Sequence, residues 1–115
     1  MAPPAAGRPA PPPDPDVQEF LDYVRFERGM SANTVSAYGR DLGRFAAFLA
    51  QRGVRPAAAS VHDVQEFFAG GGGDGAASSV ARRTASLRAF YAYLVREGVR
   101  ADDPAAGLRT PSRTR

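Results

Sequence analysis

The stretch SANTVSAYGRDLGRFAAFLAQRG, residues 31–53, decides the fold. Val35, Tyr38, Leu42, Phe45 and Leu49 recur at spacings of 3, 4, 3 and 4, the period of an α-helix that buries one face. Ser31 to Asn33 supply the opening cap chemistry and Gly53 the stop. The opposite face carries Asn33, Ser36, Arg40, Arg44 and Gln51, with Gly43 and Ala47 keeping the surface low and no carboxylate among them. A solvated helix usually mixes its charges, so this face asks what it is for.

The same period marks three flanking helices. Residues 16–28 set Val17, Phe20, Leu21 and Val24 on one side, with Asp16 as the expected N-cap, Glu19 as its capping-box partner and Gly29 as the stop. Residues 60–69 open on a Ser60 cap and turn Val61, Val64, Phe67 and Phe68 inward. A fourth helix runs from Ser78 or Ser79 to Glu97 and stops at Gly98, with Val80, Thr84, Leu87, Tyr91, Leu94 and Val95 inside. The GGGGDG between the last two, residues 70–75, reads as a flexible connection. Strand-like alternation is missing, and the expectation is an all-α four-helix bundle with short connections.

A chain of 115 residues, 43% of them hydrophobic, suffices for one small core. No run approaches the ~18 apolar residues that span a bilayer, and the start lacks the apolar segment of a secretory signal. No membrane partner is therefore expected, and the location should be cytoplasmic. With Cys at 0 and a single His, His62, neither a disulfide framework nor a metal centre is expected, and no cofactor is. Residues 1–15 hold seven of the ten Pro and read as a disordered Pro-rich leader, residues 16–103 as the helical domain, and residues 104–115 as a basic linker. Such an ending suggests a fragment of a larger protein.

All fifteen basic residues are Arg, and the net charge is a modest +3, so their placement matters more than their total. Residues 31–59 carry four Arg against one acid and residues 78–115 eight against three, whereas residues 16–30 and 60–77 are acidic. At 100° per residue, the fourth helix puts Ser78, Arg82, Ala89, Tyr93 and Arg96 opposite its core, Ser86 nearby, and Arg83 and Arg88 on the flanks. Arg clamps phosphate or reads guanine, Asn reads adenine, and small residues allow close approach to a groove. The candidate DNA contacts are accordingly Asn33, Ser36, Arg40 and Arg44, together with Arg82, Arg83, Ser86 and Arg88. Ser31 and Thr34 can cap the second helix or touch phosphate, and Asp41 is read as a structural partner of a neighbouring Arg. A solvated face in a Lys-free chain would also carry Arg, and a helical protein-interaction module is the alternative from another class.

Residues 31–49, SANTVSAYGRDLGRFAAFL, resemble the S-x-N-T-x-x-x-Y-x-x-D-L-x-x-F-x-x-F-L pattern of the amino-terminal core-binding domain of tyrosine recombinases, matching at Ser31, Asn33, Thr34, Tyr38, Asp41, Leu42, Phe45, Phe48 and Leu49. A second signature is similar at Arg83, Leu87, Arg88, Phe90, Tyr91, Leu94, Gly98 and the Asp103-Pro104 turn. The resemblance covers residues 17 to about 111 and is strongest to the Xer-type enzymes, from which the Pro-rich leader and GGGGDG depart. It implies a SAM-like helical domain forming half of a clamp around a double-stranded recombination site. The partners it implies are that DNA, a catalytic domain of the same polypeptide beyond the linker, and other recombinase protomers. The family's catalytic Arg, Lys, His-x-x-Arg and nucleophilic Tyr lie in that other domain, so this chain is expected to be no enzyme by itself. Arg109, Arg113 and Arg115 would follow the DNA backbone or form a solvated tail. A phage or transposon integrase is the runner-up to a chromosomal Xer-type parent.

Overall fold

The computed structural model describes residues 13–108; the expected leader up to residue 12, and Arg109, Arg113 and Arg115, lie outside them. Among the described residues there are four α-helices and no strand. They are α1 (Pro15–Phe26), α2 (Ala32–Gln51), α3 (Val61–Ala69) and α4 (Ala77–Arg96). The all-α bundle expected from the periodicity is the architecture found.

Side-chain capping explains where three of the four helices start. α1 begins earlier than the expected Asp16: the Asp14 carboxylate accepts from the Asp16 and Val17 amides at 2.9 and 3.3 Å. Pro15 suits that first position because its missing N–H would have had no partner and its φ is already helical. Ser31 caps α2 by accepting from the Thr34 amide at 3.2 Å, and its hydroxyl donates to the Thr34 hydroxyl at 3.0 Å. Capping is thus what the structure assigns to that pair. Ser60 and Asp63 form a reciprocal capping box on α3, while α4 starts at Ala77 with no side-chain cap. The turns after α1 and α2 require a left-handed residue, which Gly29 (φ 65°) and Gly53 (φ 71°) supply.

α2 packs against both α1 and α4. Leu42, Phe45, Leu49, Val64, Leu87, Phe90, Tyr91 and Leu94 are fully buried between the helices. Aromatic rings join the layers edge to face: Phe20 lies 5.6 Å from Phe90, and Phe45 lies 5.1 Å from Phe67. The Tyr91 hydroxyl donates to the Pro56 carbonyl at 2.7 Å, and burial pushes its phenol above the ordinary range. Past α4 the chain folds back: Arg100 donates to the Ala57 and Ala59 carbonyls, and Pro104 and Ala105 are buried. The expected linker therefore begins inside the packed domain.

The glycine run is the clearest departure from expectation. Gly71–Gly73 form a turn of 3-10 helix, and Gly72 is buried against the Phe67 ring. A Cβ on Gly72 would stand 2.4 Å from Phe67 Cε2, and one on Gly73 would stand 2.1 Å from the Phe68 carbonyl oxygen. The glycines serve close approach here, and the turn is tied down from both sides. Arg83 Nη1 donates to the Gly72 and Asp74 carbonyls, each at 2.7 Å, and Arg44 Nη2 donates to the Gly71 carbonyl at 3.1 Å.

Candidate nucleic-acid interface

The outward stripe of α2 stands as its sequence projects it. Asn33, Ser36, Arg40 and Arg44 are all exposed, with exposed Gly43 and Ala47 beside them. Arg40 makes no ion pair among the described residues, so its charge faces outward uncompensated. Arg44 is also exposed, with one guanidinium nitrogen lent to the glycine turn.

α4 corrects two of the candidates. Arg83 is 6% exposed and its Nη1 donates to the turn carbonyls, and Ser86 is 0% exposed, donating to the Arg83 carbonyl at 3.0 Å with Asp41 Oδ2 at 3.3 Å. Both side chains are buried in the domain and not on its outer face. The reason is packing: α4 is covered by α1, α2 and the glycine turn, and its buried positions run from Ser86 through Phe90, Arg83 and Leu87 to Thr84, an arc of about 160°. A third correction concerns Tyr93, placed outside by its angle. Its ring lies 5.5 Å from Phe20 and 5.0 Å from Tyr23, and burial raises its phenol pKa.

What α4 keeps outside is a smooth strip. Ala85 is exposed between Arg82 and Arg88, which are about 120° apart around the helix, and Arg88 makes no ion pair among the described residues. Arg82 is tied differently: its Nε and Nη2 donate to Asp41 Oδ2 and Oδ1 at 2.9 and 2.8 Å. These bonds hold the guanidinium more firmly protonated than usual. Asp41 is the structural partner that its sequence position suggested, and the pair bridges the seam between α2 and α4. It ties the Asp41 edge of α2 to the Arg82 edge of α4.

One basic cluster has no counterpart in the candidate set. Arg96 Nη1 donates to the Tyr23 hydroxyl at 2.9 Å and its guanidinium lies 4.6 Å over that ring. Hydrogen bonds from Arg96 and then Arg28 lower the Tyr23 phenol pKa. Aromatic residues at 23 and 93 with Arg at 96 offered a hint, but only tertiary packing joins α1 to α4 here. Away from all of this, Val17, Leu21, Leu42, Ala46 and Val54 line a shallow apolar groove of about 540 Å³ between α1 and α2. His62 is exposed on the first turn of α3. No helix among the described residues is long and apolar enough to cross a membrane.

With that geometry in view, the family assignment rests on three comparisons. A family model described as phage integrase, N-terminal SAM-like domain matches residues 17–98. Tyrosine recombinase XerD of Rhizobium meliloti (strain 1021) is 42% identical over 100 residues, which cover 86% of this chain and 32% of that protein. Tyrosine recombinase XerC of Bifidobacterium longum subsp. infantis is 39% identical over 100 residues, 86% of this chain and 28% of that one. Among solved structures, the integrase from mycobacterium phage Brujita superposes with a TM-score of 0.74 at 28% identity, over 88% of this chain and 33% of that chain. The chain thus spans about a third of the length of these relatives. Its four-helix bundle is a SAM-like domain, and the chain belongs to the family of phage-integrase N-terminal SAM-like domains.

Proposed function

We propose that this chain binds double-stranded DNA as the core-binding half of a site-specific tyrosine recombinase. The observation that carries the reading is the uncompensated outward stripe of α2, with Asn33, Ser36, Arg40 and Arg44 exposed, set beside Arg82 and Arg88 of α4. Arg40, Arg44 and Arg88, which make no ion pair among the described residues, would release counterions from a duplex, and the small residues Gly43, Ala47 and Ala85 let the helices come close to a groove wall. Arg40, Arg44, Arg82 and Arg88 are the proposed Arg contacts, with Asn33 and Ser36 as their polar neighbours. Arg83 and Ser86 shape the interface from inside.

The parent protein would close a catalytic domain over the opposite side of the duplex and act with other recombinase protomers on one recombination site. Relatives named XerC and XerD favour chromosome dimer resolution at cell division, in the cytoplasm, as the parent's role. The phage integrase neighbour keeps integration of a mobile element as the alternative.

Titrating the chain with a random-sequence 30-base-pair duplex tests the reading. Amide perturbations should gather on α2 and α4, and log Kd should rise steeply with log salt. Arg40→Ala should lower that salt slope by about one unit. Perturbations centred on the acidic α1 and α3, or spread evenly, would reject DNA binding in favour of a protein-interaction module seated on the apolar groove.

A further inference from the structure

We propose that Asp41 is a positioning residue for DNA recognition: it holds the guanidinium of Arg82 side-on, so that the end-on edge of that group is presented to a pair of acceptors on the duplex. The proposal rests on the DNA-binding reading above and goes beyond it by separating one aimed cation from its untethered neighbours.

Asp41 is 2% exposed, at the edge of a buried face whose other members, Leu42, Phe45 and Leu49, are apolar. A buried carboxylate is costly to desolvate, and an apolar side chain would fill the same place without that cost. Its oxygens are occupied: Oδ1 accepts from Arg82 Nη2 and Oδ2 from Arg82 Nε, and the Ser86 hydroxyl, whose one proton also faces the nearer Arg83 carbonyl, lies 3.3 Å from Oδ2. The guanidinium is planar and its five N–H groups are fixed in direction. Using Nε and one hydrogen of Nη2 on Asp41 leaves the second hydrogen of Nη2 and one hydrogen of Nη1 together on the end-on edge, with the other Nη1 hydrogen on the Cδ side. The Arg82 side chain is 41% exposed although its partner is 2%.

An end-on pair of donors matches two acceptors on one plane, such as O6 and N7 of guanine or two oxygens of a phosphate. The tether fixes a side chain that would otherwise lose rotamer freedom on binding, so the entropy of ordering it is already spent in the unbound protein. Arg40 and Arg88 have no such tether among the described residues and act as untargeted cations.

The test uses the full 115-residue chain and two probes, a random-sequence duplex and a high-affinity duplex recovered with the unmodified protein from a randomised pool. Asp41→Asn and Arg82→Lys should each weaken binding to the recovered duplex roughly tenfold while changing random-duplex binding about twofold or less. In an Arg82→Ala background, Asp41→Asn should add no further loss. A purely structural Asp41 would lower the unfolding midpoint and leave the ratio between the two probes unchanged. If Asp41→Asn does not fold, Arg82→Lys decides, because it keeps the charge but cannot make the side-on pair. Replacing guanines of the recovered duplex by 7-deazaguanine, or single phosphates by methylphosphonates, separates the two acceptor sources. The proposal is overturned if folded Asp41→Asn and Arg82→Lys both keep the ratio of the unmodified protein. If the unmodified protein binds no duplex at all, the DNA-binding reading itself fails and takes this one with it.

Discussion

The outward faces of α2 and α4 look alike when drawn as helical projections, and they differ in the folded domain. On α2, Asn33, Ser36, Arg40 and Arg44 all stay outside; on α4, Arg83 and Ser86 go inside and Arg82 is half claimed by Asp41. The difference lies in where the neighbours of each helix sit. Among the described residues, the side of α2 opposite its core touches only the glycine turn, through the exposed Arg44, whereas the polar flank of α4 meets both α2 and that turn. A polar residue in a helix is an outward residue only if no later segment comes to lie over it.

The strongest way to break this contrast is to remove a cation from each helix. Arg83→Ala leaves the Gly72 and Asp74 carbonyls without their donor and should cost about 2–4 kcal/mol in urea unfolding, whereas Arg40→Ala should stay within about 0.5 kcal/mol. Equal losses would dissolve the distinction between the two faces. Next in size, Gly72→Ala drives a Cβ into the Phe67 ring and should destabilise by about 1–3 kcal/mol. On the open face of α2, Gly43→Ala meets nothing within 4 Å and should stabilise by about 0.5–1 kcal/mol. The same substitution would then have opposite signs in the two regions, readable from the shift of the thermal midpoint. Smaller again, Ser86→Ala should cost about 1 kcal/mol through its buried hydrogen bond, with Ser36→Ala close to neutral.

The smallest effect is electrostatic and tests the engaged end of α2. Arg52 Nε lies 3.2 Å from Asp63 Oδ1, and the Ser60 amide, the Ser60 hydroxyl and then Arg52 hold the Asp63 carboxyl below its ordinary range. A depressed folded pKa adds stability that is complete above the unfolded value of about 3.9 and disappears as pH falls through the lower folded value. Acid unfolding followed by circular dichroism should therefore show a shallower loss below about pH 4 in Asp63→Asn than in the unmodified chain. An identical acid limb in both would remove Asp63 from the account.

Much of the fold was legible because it is written in local chemistry. The stripe from Tyr38 to Leu49, the Ser60 cap and the glycine stops are each readable within one or two helical turns. α1 started two residues early because Pro15 and Asp14, read as leader, form a cap and first turn. The site was legible in part: the exposure of all four α2 candidates followed from a clean 3.6-residue period. Arg83 and Ser86 were misplaced because their burial depends on Gly72, Asp74 and Asp41, which lie 9 to 45 residues away in sequence. Adjacent Arg82 and Arg83 carried one usable signal, since neighbours 100° apart on a helix cannot face the same way.

The order of residues by itself determined the helices, their ends, the apolar stripes and the cationic bias of the second and fourth segments, since each of these is decided by groups within a few residues of one another. Only the folded arrangement decided that the glycine run is a pinned turn, that Arg83 and Ser86 belong to the interior, and that Arg82 leans on Asp41. Those outcomes depend on which distant surfaces meet, and a hydrogen bond between α2 and α4 has no local spacing from which it could be read.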